Sequence, residues 1–215
     1  MKILCVSDQV DPLVYSTRIK ERFGNVDMVL AAGDLPLEYL GFIASMLNCP
    51  LLYVEGNHDL GSTTTGSPWV ESYNLELSFG TRNMGFRYGR ENGLSILGLP
   101  GSIRYNKGPN QFTDWSMGLR ILALAPRLLF EKLIRGRAVD IILTHAPPRG
   151  IHDREDACHR GFMSFRSLIR WARPRWFIHG HVHLYDLADV RTSVEGDTTI
   201  INAFSHWLLE TEEDS

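Results

Sequence analysis

Residues 27–34 read Asp27-Met28-Val29-Leu30-Ala31-Ala32-Gly33-Asp34. An unbroken apolar run bounded by Asp and by Gly-Asp leaves no polar face. It is read as a strand covered on both sides, the pattern of a parallel sheet. In open α/β sheets, sites form beyond the carboxyl ends of the strands, so the Gly-Asp that ends the run matters as much as the run. Two neighbouring stretches repeat the arrangement. Ile3-Leu4-Cys5-Val6 ends at Ser7-Asp8, and Leu51-Leu52-Tyr53-Val54 leads to Gly56-Asn57-His58-Asp59. Between them, residues 16–23 and 36–47 read as helices. The first stops at Gly24; the second has Pro36 in its first turn and spaces Leu40, Ile43, Ala44 and Leu47 helically. Strand–helix–strand–helix–strand implies parallel strands joined by crossover helices. Asp8, Asp34, Asn57 and His58 then gather along one sheet edge.

The rest of the chain continues the theme. Residues 84–88 and 94–99 read as strands about the turn Arg90-Glu91-Asn92-Gly93, and 100–110 as a loop. Residues 114–134 read as a helix interrupted or kinked near Pro126. A further apolar strand, 139–143, delivers Thr144-His145. A polar loop over 149–161 precedes a helix over 162–172, stopped by Pro174. The strand 175–178 then leads into Gly180-His181-Val182-His183. Closing strands are expected over 184–190 and 198–201, with a turn at 195–197. Residues 61–68 read as a mobile Gly/Ser/Thr loop, and 210–215 as an acidic, disordered tail. The expected organisation is one domain over 1–209.

Charge narrows the function class. The chain carries 22 Lys and Arg against 25 Asp and Glu, a net charge of −3, with both signs interspersed. This argues against a general nucleic-acid coat or a membrane-surface protein. It leaves room for an anionic substrate, because bound metal supplies positive charge locally. The Trp residues show no aromatic-basic interleaving of the kind that stacks nucleic acid. No segment at the start has the h-region of a signal peptide. The greasiest stretch, 121–130, contains Pro126 and Arg127 and is not a membrane span. The three cysteines (Cys5, Cys49 and Cys158) are odd in number, with no C-x-x-C spacing. That fits a reducing cytoplasm.

Five expected strand ends carry metal-ligand chemistry: Asp8; Asp34; Asn57 with His58; His145; and His181 with His183. Carboxylate, amide oxygen and imidazole make a mixed O/N transition-metal site. Singly, each has an ordinary reading: Asp after a strand caps a helix, and Asn holds a turn. Jointly, at successive strand ends, they are read as a site. If residues 181–183 stay extended, the two imidazoles project to the same side. They then form half of one metal site, or supply one ligand to each of two.

In their order and spread, Ser7-Asp8, Gly33-Asp34, Gly56-Asn57-His58-Asp59, Thr144-His145 and Gly180-His181-Val182-His183 resemble the motif set of the calcineurin-like metallophosphoesterases. The resemblance covers nearly the whole chain. It implies an α/β fold, a four-layer α/β/β/α sandwich of two mixed sheets flanked by helices, and two divalent metal ions. It implies that Asp34 bridges the metals, that Asp8 and His183 complete one site, and that Asn57, His145 and His181 complete the other. The implied activity is hydrolysis of a phosphodiester or phosphomonoester by a metal-bridged hydroxide, with His58 assisting the leaving group. Asp59 either orients His58 or caps the next turn. Mn, Fe, Zn and Ni all accept this ligand set, and Mn is favoured here.

One departure stands out. The family's first motif is usually D-x-H, and here Val10 occupies the histidine position. Water, Gln9 or Asp11 fills the gap, and the metal at Asp8, Asp34 and His183 is expected to bind more weakly. Arg149 and His159 are candidate phosphate or leaving-group contacts. Arg104, with Tyr105 and Asn106, is a candidate for a base or aryl group. His152, His179 and His206 are read as structural, and Tyr39 as a helix-face residue. The expected partner is a small phosphoester. A binding scaffold with weak catalysis is the main alternative; a nuclease is another, but it needs a basic channel. The oligomeric state is left open by the sequence.

Overall fold

Successive side chains of a strand point to opposite faces, and in this chain that alternation sorts the core into three slabs. The computed structural model describes residues 1–58, 80–186 and 188–211. One sheet contains β1 (Lys2–Ser7), β2 (Met28–Ala31), β3 (Leu51–Tyr53), β4 (Thr81–Asn83) and β13 (Ser205–Glu210). Its order is β13-β1-β2-β3-β4, parallel except for β13, which runs antiparallel to β1. The second sheet contains β5 (Arg87–Glu91), β6 (Leu94–Leu99), β9 (Ile141–Thr144), β10 (Trp176–His179), β11 (Thr192–Glu195) and β12 (Thr198–Asn202). Its order is β11-β12-β10-β9-β6-β5, with a parallel centre and antiparallel edges. A short parallel pair, β7 (Ser102–Ile103) with β8 (Gln111–Phe112), lies in the loop expected after residue 100.

Ile3, Cys5, Met28, Leu30 and Leu52 from the first sheet meet Ile96, Ile141, Leu143, Ile178 and Ile201 from the second in the slab between them. The alternate residues Leu4, Val6, Val29, Ala31, Leu51 and Tyr53 face outward. There they pack on α1 (Ile19–Phe23) and α2 (Leu37–Leu47) through Ile19, Phe23, Tyr39, Leu40 and Ile43. On the far side, Leu97, Leu99, Ile142, Phe177 and Ile200 pack on α3 (Asp114–Arg135) and α4 (Met163–Ala172). The continuous apolar runs are thus explained: every residue has a slab to enter, and the result is the α/β/β/α sandwich of two mixed sheets. Truncating such a side chain typically costs about 2–5 kcal/mol.

Local chemistry sets the element ends. Thr113 caps α3 by accepting the Ser116 amide at 3.1 Å, and Gly136 closes it at φ 75°. Asn92 and Gly93, at φ 47° and 81°, make the turn between β5 and β6, the geometry that right-twisted hairpins favour. At the end of the second sheet opposite the site, Asp140 accepts the amide and hydroxyl of Ser95 at 2.9 and 2.6 Å and an Arg135 N–H at 3.3 Å.

Several expectations are corrected. The helix read over 16–23 begins only at Ile19. The long helix passes through Pro126 without interruption and ends at Arg135; Pro126 is solvent-facing. No strand forms among the described residues of 184–190, and the closing hairpin is instead β11 with β12. Glu210 is not tail: it pairs with Lys2, and the Thr211 amide bonds to Met1. Asp59, the loop 61–68 and residues 212–215 lie outside the described residues.

Candidate metal centre

The five strand ends do converge. Asp8 follows β1, Asp34 follows β2 by three residues, and Asn57 and His58 follow β3. His145 follows β9, and His181 and His183 follow β10. Three of these residues leave their strands through the left-handed region: Asp8 at φ 62°, Asp34 at φ 55° and His181 at φ 67°. L-residues adopt it at a cost, and Asp bears that cost better than His. The reversal turns each side chain back across the strand ends. It also overturns the extended reading of 181–183, because His181 and His183 do not share a side: His181 turns to His145 and His183 to Asp8.

The tightest cluster is Asp34, Asn57, His145 and His181. His145 Nδ1–H donates to the Ala32 carbonyl at 2.8 Å, which leaves its Nε2 as a lone pair facing inward. His181 Nε2–H donates to the Cys158 carbonyl at 2.6 Å, which leaves its Nδ1 as a lone pair. Those two nitrogens lie 3.0 Å apart. Around His145 Nε2 stand Asn57 Oδ1 at 3.1 Å and Asp34 Oδ2 at 3.3 Å. Two ring nitrogens and two oxygens at such separations need either a proton or a metal cation among them. With bonds of about 2.1 Å, ligand–ligand edges around a first-row cation are about 3.0 Å (octahedral) to 3.4 Å (tetrahedral). The donor set therefore fits a transition-metal cation, and the carbonyls that fix both tautomers are the outer partners such ligands use.

Charge at the site follows the same logic. Burial alone would push the His145 imidazole down, but the Asp34 carboxylate, with Asp8 behind it, carries it up to about 10. Burial works against the Asp34 carboxylate too, yet His145 and the His58 amide (2.9 Å to Oδ1) hold it well below the ordinary range. Burial and the neighbouring His145 drive His181 down to about 3. One positive charge is accommodated between the rings, and a cation satisfies the same demand.

The second cluster is looser. Asp8 is buried, and burial raises its carboxyl pKa. Both its oxygens accept the His181 amide, at 2.9 and 3.0 Å. His183 Nε2 stands 3.8 Å from Asp8 Oδ1. Its ring is held against Phe204, with centroids 4.9 Å apart, and its Nδ1 meets the Tyr185 hydroxyl at 2.8 Å. Val10 packs into the slab under α1 and α2. Asp11 does not reach toward Asp8: its carboxylate accepts from Ser205, His206 and the Leu13 amide. His206 is structural in this sense. So is Tyr39, a buried residue of α2 whose hydroxyl approaches the Asp11 amide at 3.4 Å.

The substrate candidates divide. His159 stands beside the site, with its ring centroid 5.4 Å from that of His181. Its Nδ1 meets Asp156 at 2.9 Å. Arg149 is held by Asp153 at 2.7 Å and Glu155 at 2.9 Å. None of its described ion pairs or hydrogen bonds reaches the ligand cluster, and it anchors the 149–161 loop. Arg104 bonds the Gln111 carbonyl at 3.3 Å. Its neighbour Tyr105 reaches the centre instead, its hydroxyl accepting from Asn57 Nδ2 at 3.2 Å. Sequence reasoning does not single out that contact, the Cys158 carbonyl or Phe204 as site components. A Tyr on a Gly-rich loop is the one available signal. His152 and His179 pair at 3.0 Å, with Ser193 beyond at 2.8 Å.

Two mixed sheets between helices, with an O/N donor cluster at the strand ends, define a metallophosphoesterase architecture. The calcineurin-like phosphoesterase family matches residues 1–185, and the chain belongs to that family. The family is generally hydrolytic and typically binds divalent metals. Among solved structures, one superposes with a TM-score of 0.68 at 14% identity, over 97% of this chain and 94% of the other. TT1561 of Thermus thermophilus gives 0.63 at 16% identity, over 95% and 89%. Zn-complexed Vps29 from Entamoeba histolytica gives 0.47 at 15% identity, over 100% and 88%. For the first two, at these identities, the likeness is one of fold. No protein of curated function matches the chain. No described helix is long and apolar enough to cross a membrane.

Proposed function

We propose that this chain hydrolyses a small phosphodiester at two divalent cations, with Mn²⁺ favoured, in a reducing cytoplasm. The observation that carries the reading is the facing pair of imidazole lone pairs, His145 Nε2 and His181 Nδ1, 3.0 Å apart beside Asn57 Oδ1 and Asp34 Oδ2. Asn57, His145 and His181 would hold one cation and Asp8 and His183 the other, with Asp34 available to both. Bound cations supply a polarised phosphoryl group and a water of lowered pKa. The chain's own groups do the rest. His58, exposed at the rim and anchored to Asp34 through its amide, hydrogen-bonds the phosphoryl oxygen and returns a proton to the leaving oxygen. Tyr105 holds the Asn57 amide so that Oδ1 faces the cation and Nδ2 faces away. His159, whose ring lies beside that of His181, contacts the ester's second substituent. A diester is preferred over a monoester because Tyr105 and the 104–106 loop offer an aryl or base group a surface beside the ligands.

The test is hydrolysis of bis-p-nitrophenyl phosphate and of p-nitrophenyl phosphate by chelator-treated protein reloaded with Mn²⁺. Metal content is measured on the same samples. Metal-dependent turnover, faster on the diester, is expected. His58→Ala keeps the metal and loses about 10²–10⁴ in turnover. Two bound metals without turnover of either ester would favour the scaffold reading.

A further inference from the structure

We propose that α3 is the interface of a two-fold homodimer, in which it packs antiparallel against α3 of a second copy. The helix is apolar on two opposite faces. Met117, Ile121, Leu124 and Leu128 line the face on the second sheet's slab. About 150° around the helix at 3.6 residues per turn, a second stripe runs through Trp115, Leu119, Leu122, Pro126, Leu129 and Leu133. Its apolar side chains other than Pro126 are between 48 and 77% exposed, and Phe130 and Ile134 extend it at 53 and 66%. A helix serving only its own core keeps that outer face polar.

The stripe's spacing says what covers it. Its intervals are 4, 3, 4, 3 and 4, the seam that another helix fills by knobs-into-holes packing. That series is the same read backwards, so an antiparallel copy in register sets Trp115 over Leu133, Leu119 over Leu129 and Leu122 over Pro126. The surface is therefore complementary to itself, as a two-fold interface requires. Opposed helices also cancel their macrodipoles.

Area and charge agree. With about 150–200 Å² per side chain, the low end of the aromatic range because most are Leu or Ile, the exposed fractions give roughly 650–850 Å² of apolar surface per copy. A stable interface needs about 800 Å² per partner, and a lone patch above a few hundred Å² marks an interaction site. The flanking cations are folded onto their own chain: Arg120 lies over Phe86 at 4.6 Å, and Arg127 lies over Tyr88 at 5.1 Å and pairs with Glu131 at 2.7 Å. Glu131 is itself buried, so no carboxylate stands on the seam. The metal centre belongs to the other elements, and the dimer does not depend on the proposed activity.

Sedimentation equilibrium of the full chain is expected to give twice the chain mass. Leu122→Glu combined with Leu133→Glu changes only exposed positions. It is expected to give a folded monomer with the wild-type circular dichroism, dissociating at least about a hundred-fold more readily. Leu119→Cys with Leu129→Cys, oxidised and mapped by mass spectrometry, is expected to join 119 to 129 between copies. A wild-type monomer overturns the proposal, including one that floats with anionic vesicles, which would make the seam a membrane-surface face. A dimer insensitive to the Glu pair overturns it by placing the interface elsewhere. Cross-links of 119 to 119 overturn the antiparallel arrangement.

Discussion

Gly180→Ala tests how closely the two sheets must approach at the site. A Cβ at residue 180 would lie 1.8 Å from Ser7 Oγ and 2.4 Å from Asp8 Oδ2, where real Cβ contacts essentially never fall below 3.0 Å. Neither neighbour yields easily. Ser7 is fully buried, and its hydroxyl reaches the carbonyls of Ala32 and Gly33 at 3.2 and 3.3 Å. Asp8 can rotate away only by giving up the His181 amide, bonded at 2.9 and 3.0 Å. Overpacking costs about 1–3 kcal/mol, and losing a hydrogen bond to a charged group costs about 1.5–3 kcal/mol. The expected loss is about 3–5 kcal/mol, a large share of the roughly 5–15 kcal/mol by which domains are stable.

Urea unfolding of chelator-treated protein reads that loss directly. Displacing Asp8 should also weaken metal binding by about 10–100-fold, by analogy with outer-partner losses at metal sites, read by calorimetric titration with Mn²⁺. Gly118→Ala is the control. Its Cβ would meet only Ser164 Cβ at 3.8 Å inside α3, and the change should stabilise by about 0.5–1 kcal/mol. A Gly180→Ala protein within about 0.5 kcal/mol of wild type and with unchanged metal binding would refute the reasoning.

Tyr105→Phe removes the acceptor of Asn57 Nδ2. It should weaken the tighter metal step by about 10-fold with the fold unchanged, and equal affinities would mean that Asn57 orients itself. Val10→His puts the family's usual ligand type at a position two residues after Asp8, in place of a side chain packed against the outer core. Metal titration of wild type should show two unequal steps, and the variant should tighten the weaker one; two equal, tight steps in wild type would refute the assignment. At the opposite sheet end, burial raises the Asp140 carboxyl pKa, but the Ser95 amide and hydroxyl and Arg135 outweigh it and hold the value below the ordinary one. A depressed carboxylate contributes stability that is present above the unfolded pKa near about 3.9 and is lost as pH falls through the folded value. Ser95→Ala should therefore cost about 1–3 kcal/mol at neutral pH, and the gap from wild type should narrow in acid. A gap independent of pH would assign the cost to packing.

The strand ends were legible because period-two burial and ligand chemistry point to the same positions. Continuous apolar runs require cover on both faces, and three slabs supply it. What the sequence withheld was direction at the last residue. Nothing local marks Asp8, Asp34 and His181 for positive φ, because the reversal is held by distant groups such as the Gly33 carbonyl on the Asp8 amide at 3.1 Å. Leu184–Val190 read as a strand from its apolar residues. Instead Arg154 bonds the His183 carbonyl at 2.9 Å, and Asp186 and Asp189 bond each other's segment, which favours turns over a ladder. The pairing of β13 is not legible locally, because its partner, β1, lies nearly the whole chain away.

The glycines before Asp34, Asn57 and His181 and the ligands after them solve one problem. Asp8 and Asp34 belong to the first sheet, and His145 and His181 to the second. The described contacts joining the two sheets here include the His181 amide to Asp8, His145 Nδ1 to the Ala32 carbonyl, and His145 Nε2 to Asn57 and Asp34. A Cβ on Gly33 would lie 2.7 Å from His145 Nδ1, as one on Gly180 would lie 1.8 Å from Ser7 Oγ. Only bare backbone allows the two edges to close around the donors. A cation held there is bound by both sheets at once and not by the unfolded chain. It should therefore stabilise the whole sandwich, by about 2.7 kcal/mol at a hundred times its dissociation constant. If Mn²⁺ binds and the urea midpoint does not move, the donors do not close across the sheets, and the assignment of Asp34 with His145 and His181 to one cation fails.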